Sequence, residues 1–384
     1  MRLAFVTGSL VHGGAERHTI TLVNRLAERG HECHAAYVKD DPSQLERLCG
    51  AASVRCLNAR RFLDMSSIKK FSRHLAQLRP SVVVAANASA LMYASLALRR
   101  SGAAAPLVVT FHTTLLPDAK EWLKMLAYRP FFWRAERLVF VCEAQARHWL
   151  ARSVFARSHQ VIYNGVDLEH WQPRSPGESA TLRRVLGIAA HDYVVGMCAV
   201  LRPEKNPLQL IEAIARLRRR GIAARALLIG DGAMRGAIEA RARALGVAGE
   251  VIVTGFQQDV RPLLGACDTV ALCSDSVETF SLAALEAMAL ERPVVHSDIG
   301  GAAEMIRPGH EGYLFPAGDT PMLVEKLAAL ANGEERARMG AIARETVRAR
   351  FAERDMIERY ESLLQETALT RSQRDSLRKS ATAH

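Results

Sequence analysis

Ser276-Val277-Glu278-Thr279-Phe280-Ser281-Leu282-Ala283-Ala284-Leu285-Glu286-Ala287-Met288-Ala289 is the stretch on which the reading of this chain turns. Two carboxylates, Glu278 and Glu286, bracket seven residues that carry no charge. The Ala- and Leu-rich run reads as a helix, with Thr279 and Ser281 offering N-cap hydroxyls at its start. The carboxylates stand a little over two turns apart, so Glu286 falls on roughly the same side as the helix start. The unbonded N–H groups of Phe280, Ser281 and Leu282, with the positive end of the helix dipole, favour an anion in front of them. A phosphate on those amides, with one carboxylate before it and one behind, suits a nucleotide-sugar. Glu286 can accept bonds from ribose hydroxyls, and Glu278 can reach the sugar.

Outward from this stretch the chain alternates strands and helices. In the first half, strands are predicted at Arg2–Thr7, Glu32–Val38, Ser81–Ala85, Leu107–Phe111, Arg137–Val141 and His159–Ile162. Helices are predicted at Ala15–Arg29 and Ser66–Leu78. The second half repeats the theme, with strands at Tyr193–Leu201, Arg225–Ile229, Val251–Thr254, Thr269–Cys273, Pro293–His296 and Gly312–Phe315. Alternation of this kind predicts an α/β chain with parallel sheets covered on both faces. The turn residues Tyr163-Asn164-Gly165-Val166-Asp167 divide the halves. At 384 residues, two domains of ordinary size are expected.

Several short segments carry a family likeness. The two glutamates resemble the E-x7-E motif of retaining glycosyltransferases, family 4 in particular. Gly13-Gly14-Ala15-Glu16-Arg17, after the first strand, resembles that family's G-G-A-E-R segment, and Asn164-Gly165-Val166-Asp167 its N-G-V-D segment. Leu201-Arg202-Pro203-Glu204-Lys205 resembles its R-x-x-x-x-K segment, with one departure: Val200 stands where the arginine is usual, and Arg202 is the nearest substitute. Gly230-Asp231-Gly232 resembles a G-x-G turn under the nucleotide base, and Gly300-Gly301-Ala302-Ala303-Glu304 a G-G-x-x-E segment.

The resemblance implies the GT-B fold, two Rossmann-like domains facing across a cleft. The acceptor domain would span 1–165 with a returning helix near 350–368, the donor domain 166–349, and 369–384 would be a disordered tail. It implies a retaining transfer of a sugar from a nucleoside diphosphate, with a UDP-sugar favoured, to a hydroxyl acceptor. Glu278, His112 and Lys205 would be the catalytic residues. Gly13, Gly14, Arg202, Lys205, Phe280, Ser281, Leu282 and Glu286 would bind the donor. Lys205 would neutralise the departing phosphate, and His112, at the end of a strand, would lie beside the sugar. Two other readings stay open at this level: a GT-B enzyme of different chemistry, such as a sugar-nucleotide epimerase or a transferase with a soluble acceptor, and a non-catalytic nucleotide-binding protein.

Composition narrows the rest. No D-x-D pair occurs, so a divalent metal on the diphosphate is not expected, nor any cofactor. Gly8 through Gly14 does not follow the G-x-G-x-x-G dinucleotide fingerprint, which argues against an NAD enzyme. Seven scattered cysteines without a C-x-x-C pair fit a reducing cytoplasm, and no apolar run is long enough to span a bilayer. Residues 1–165 hold 23 Lys/Arg against 11 Asp/Glu, a balance of +12, leaving −1 for the remainder of the +11 chain. No nucleic-acid signature accompanies that charge, so an anionic membrane surface is the expected partner. Lys120 to Arg134 interleaves Trp, Tyr and Phe with Lys and Arg and is suited to such a surface or to a lipid-linked acceptor.

Overall fold

Short runs of β-branched and small apolar residues set the strands, and the Ala-, Leu- and Arg-rich stretches between them set the helices. The computed structural model describes residues 1–381 apart from 115, 117 and 277, with backbone alone at 176 and 370–381. The chain opens with β1 (Arg2–Thr7), α1 (Gly14–Glu28), β2 (Glu32–Tyr37), β3 (Ser53–Cys56), α2 (Met65–Leu78) and β4 (Val82–Ala86). There follow α3 (Asn87–Ser101), β5 (Leu107–Phe111), α4 (Ala119–Phe132), β6 (Arg137–Phe140), α5 (Glu143–Leu150) and β7 (Ser158–Val161). Next come α6 (Pro176–Val185), β8 (Tyr193–Cys198), α7 (Pro207–Arg219), β9 (Ala224–Ile229), α8 (Arg235–Ala244) and β10 (Val251–Val253). Then stand α9 (Arg261–Gly265), β11 (Thr269–Leu272), α10 (Leu282–Ala289), β12 (Val294–Ser297), α11 (Ala302–Met305) and β13 (Gly312–Phe315). The last helices are α12 (Thr320–Ala329), α13 (Gly333–Arg350) and α14 (Glu353–Ala381).

Two units result: Met1–Asn164 with Arg354–His384, and Gly165–Glu353. Among the described residues the first holds a seven-strand sheet ordered β3-β2-β1-β4-β5-β6-β7, and the second a six-strand sheet ordered β10-β9-β8-β11-β12-β13. Among the described residues every pairing between these strands is parallel, as the alternation requires. In the first unit, α1 and α14 cover one sheet face, where Leu22, Val23, Met356, Ile357 and Tyr360 join the inward side chains of β1. The other face is filled from α2, α3 and α4.

The strand order reverses at β1 and again at β8. In open parallel sheets the loops that diverge at such a point leave a crevice beyond the carboxyl ends of the strands. In the second unit those are the loops after β8 and β11, which carry Lys205 and Glu278.

Several details differ from the sequence expectation, three of them with a plain physical cause. Gly165 and residues 350–353 belong to the second unit, because Val166 bridges Ala352 and exchanges hydrogen bonds with Phe351 and Glu353. The expected disordered tail is helical through Ala381, while 382–384 lie outside the described residues; no Gly or Pro interrupts the run from Glu353, so nothing in it breaks the helix. Helix α3 was not foreseen, because it is buried along most of its length and shows no polar stripe.

Candidate active site

Glu278 follows β11, and Lys205 closes the loop after β8. Their side chains meet, with Lys205 Nζ 2.7 Å from Glu278 Oε2. Ser274 Oγ donates to the same oxygen at 3.2 Å. The backbone joins the loops as well: Asp275 N donates to Glu204 O at 3.2 Å. Burial alone would raise the Glu278 carboxyl, but the Lys205 charge and the bonds from Lys205 and Ser274 outweigh it and hold the group below its ordinary range. The pair is therefore ionic, a carboxylate and an ammonium in a partly shielded place.

His296, at the end of β12, is fully buried in the same neighbourhood. Burial keeps it below its ordinary value despite the nearby Glu278 charge. Neutral imidazole has one N–H, and Nδ1 lies 2.6 Å from Ser297 O, so Nδ1 carries the proton and Nε2 is a bare acceptor. Ser297 Oγ in turn donates to Ser274 O at 2.6 Å, tying β12 to the Glu278 loop.

Glycines shape both loops. Gly300 has φ +58°, and a Cβ there would lie 2.3 Å from Glu278 O and 2.8 Å from Thr279 O. Gly301 N donates to Thr279 O at 2.8 Å. The Gly300-Gly301 turn is thus a backbone platform under Glu278. Gly230 and Gly232 do the same for the other loop: their Cβ positions would fall 2.1 Å from Ala199 O and 2.4 Å from Leu201 O.

The helix behind Glu278 starts later than expected. Ser281 is the N-cap, its Oγ accepting from Ala284 N at 3.3 Å, and α10 begins at Leu282. A Ser at this place outcompetes Thr279, whose carbonyl is taken by Gly301. The first-turn N–H groups are therefore those of Leu282 and Ala283, with Ala284 already capped, and Phe280 and Ser281 stand before the turn. The Phe280 side chain is buried and packs edge-on against Phe351 at 5.4 Å, a core contact. Glu286 is only 2% exposed, inside α10. Arg202 is exposed and pairs with Glu204 at 3.9 Å, apart from the Lys205–Glu278 contact.

In the first unit, Gly13 caps α1 and Gly14 opens it. His112 follows β5, and its N–H donates to Asn87 Oδ1 at 2.9 Å. Its ring lies 4.6 Å from that of His18 on α1, and His18 Nε2 is 3.1 Å from Tyr360 Oη on α14. Burial pushes His112 down to about 4. Burial and the neighbouring His112 hold His18 well below its usual value as well. His18 and Tyr360 were missed in the sequence: the partners are 342 residues apart, and no local pattern joins them.

Residues 12–170 match Glycosyltransferase Family 4, and residues 178–346 match Glycosyl transferases group 1. The chain belongs to this glycosyltransferase family. Its two parallel-sheet units are the GT-B architecture. N-acetyl-alpha-D-glucosaminyl L-malate synthase of Bacillus anthracis is 30% identical over 205 residues, covering 53% of this chain and 52% of its own. Lipopolysaccharide core biosynthesis glycosyltransferase LpsE of Rhizobium meliloti (strain 1021) is 28% identical over 365 residues, 92% of this chain and 96% of its own. The chain spans about half the length of the first curated relatives it matches. In fold, it is similar to Anabaena HepE, solved in complex with UDP-glucose, with a TM-score of 0.85 at 24% identity over 95% of this chain and 100% of that one.

Proposed function

We propose that this family member transfers a sugar from a nucleoside diphosphate, a UDP-sugar in the first instance, to a hydroxyl acceptor with retention at the anomeric carbon and without a metal. The observation that carries the reading is the Lys205–Glu278 pair at 2.7 Å, held at the strand-order reversal just ahead of the α10 N-terminus. The names of LpsE and of the HepE complex support the same direction. That of LpsE also favours cell-surface polysaccharide or lipid-linked glycan synthesis, and the proposal sets this work at the inner face of a membrane.

An ammonium has three protons to donate. Lys205 can keep one on Glu278 and turn the others to the β-phosphate of a donor. The N–H groups of Leu282 and Ala283 and the helix dipole would share that charge, and Glu286 would take the ribose hydroxyls. In the transfer, the acceptor oxygen forms the new bond to the anomeric carbon while that carbon's bond to the phosphate oxygen breaks. The bonding pair stays on the departing phosphate, which takes the acceptor's proton on the same face. Lys205 then stabilises charge that grows only as the bond breaks, the condition for lowering a barrier. For His112 the proposal keeps the role that the family resemblance implies.

Thermal unfolding in the presence of UDP, GDP, ADP, dTDP and NAD tests the donor half. One nucleoside diphosphate should raise the midpoint, by the equivalent of about 2.7 kcal/mol at a hundredfold excess over its Kd, and Glu286→Gln should remove the shift. Release of that diphosphate from its sugar conjugate should persist in EDTA. A shift with NAD alone, or with no nucleoside diphosphate, sinks the reading.

A further inference from the structure

Helix α4 is apolar on two sides. Met125, Tyr128 and Phe132 point into the first unit and are buried. At 100° per residue, Leu123, Leu126, Ala127 and Pro130 fall on the opposite arc, where a surface helix normally carries polar side chains. Leu123 is 68% exposed and Leu126 49%. Further exposed apolar side chains flank the helix. Phe62, from the segment before α2, lies 5.4 Å from the Tyr128 ring, and Leu63 and Met65 beside it are exposed. At the other end, exposed Trp133 stacks on exposed Phe155 at 6.0 Å.

Cations rim this surface. Arg60 and Arg61 precede Phe62, Lys120 stands one turn before Leu123, and Arg134 follows Trp133; all four are exposed. The acids nearby are engaged: Asp64 caps α2, Asp118 caps α4, and Glu121 pairs with Lys124. We propose that the outward face of α4, with the Arg60–Met65 segment, docks on an anionic lipid bilayer. Charge selects this occupant. Residues 1–165 carry +12 in a chain of +11, so a second copy would set like charge against like. A nucleic acid would satisfy the cations and leave the leucines in water. A bilayer containing acidic lipid meets both, with cations at the headgroups, Trp at the interface and leucines below.

The inference rests on the membrane setting proposed above, and its test reads out separately from the donor chemistry. The full chain is co-sedimented with vesicles of phosphatidylcholine and with vesicles of equal phosphatidylcholine and phosphatidylglycerol. Binding is expected to the second kind only and to weaken as salt rises. Lys120→Gln with Arg61→Gln should reduce it roughly tenfold or more, and Leu123→Ser with Leu126→Ser should do the same. Absence of binding to acidic vesicles, wild-type binding by both double variants, or a dimer in sedimentation velocity that the serine variant dissolves would each overturn the proposal. The same samples are unfolded with UDP. Vesicle binding without a nucleotide shift keeps this inference and removes the donor reading; a shift without vesicle binding does the reverse.

Discussion

Lys205 and Glu278 are more than a surface ion pair. Their side chains are 27% and 13% exposed, and Ser274 completes the carboxylate's contacts. Removing one partner of a fully buried pair costs about 3–5 kcal/mol, because the other is left as a bare charge. Partial exposure here discounts that to about 1–3 kcal/mol. Lys205→Met should therefore unfold at a lower temperature than the parent at pH 7. The sign of the pH dependence follows from the depressed Glu278 carboxyl, whose ordinary value is 4.5. The stability it contributes is present above that value and is lost as pH falls through the lower, folded one. The gap between variant and parent should hold from pH 7 down to about 4.5 and narrow as the pH is taken below that, through the folded value. An equal gap at both ends would mean that Lys205 acts by packing alone. The sequence made both residues visible as separate candidates, through the glutamate spacing and a lysine after a strand. That they touch could not be read, because it depends on β8 and β11 being neighbours in the sheet, which no local pattern encodes.

At the scale of elements, the loops under the site are held by backbone rather than by side chains. Gly300 and Gly309 both have positive φ, +58° and +84°, but only Gly300 has a carbonyl, that of Glu278, where a Cβ would go. Nothing lies within 4 Å of the place a Cβ on Gly309 would take. Gly309→Ala should cost only the left-handed strain, about 1 kcal/mol, and leave nucleotide binding unchanged. Gly300→Ala adds a clash that the Glu278 backbone must relieve by moving, so it should also abolish the thermal shift with the donor nucleotide. Equal behaviour of the two variants would remove the platform from the account. The difference between these glycines marks where sequence reading stops. Helix α10 and its flanking glutamates were legible from the Ala- and Leu-rich run. Its start was misplaced, since Thr279 and Ser281 are both competent caps, and the Gly301 contact that occupies the Thr279 carbonyl is not local. Strand positions were legible within a residue or so at Arg2–Thr7, Leu107–Phe111 and Gly312–Phe315, where the apolar run and its turn residues coincide.

For the molecule as a whole, the two units differ in how the chain builds them. The second is one continuous stretch, Gly165–Glu353, with its own core from Tyr193 to Met339. The first needs both ends of the chain. From α14, Met356, Ile357, Tyr360, Leu363 and Leu364 are all buried against β1, β2 and α1. Glu361 receives Arg29 at 2.6 Å and lies 2.8 Å from the His31 ring. Burying side chains of this size contributes about 1.5–3 kcal/mol each, so the five amount to roughly 8–15 kcal/mol. That is comparable with the whole stability of an ordinary domain, about 5–15 kcal/mol. Residues 1–164 produced alone should therefore show no cooperative thermal transition, whereas 165–353 alone should unfold cooperatively and keep its response to the donor nucleotide. Joining 354–381 to 1–164 through a flexible linker should restore the transition of the first unit. If 1–164 folds cooperatively without it, the burial of α14, and with it the His18–Tyr360 contact that exists only because that helix returns, is dispensable to the first unit.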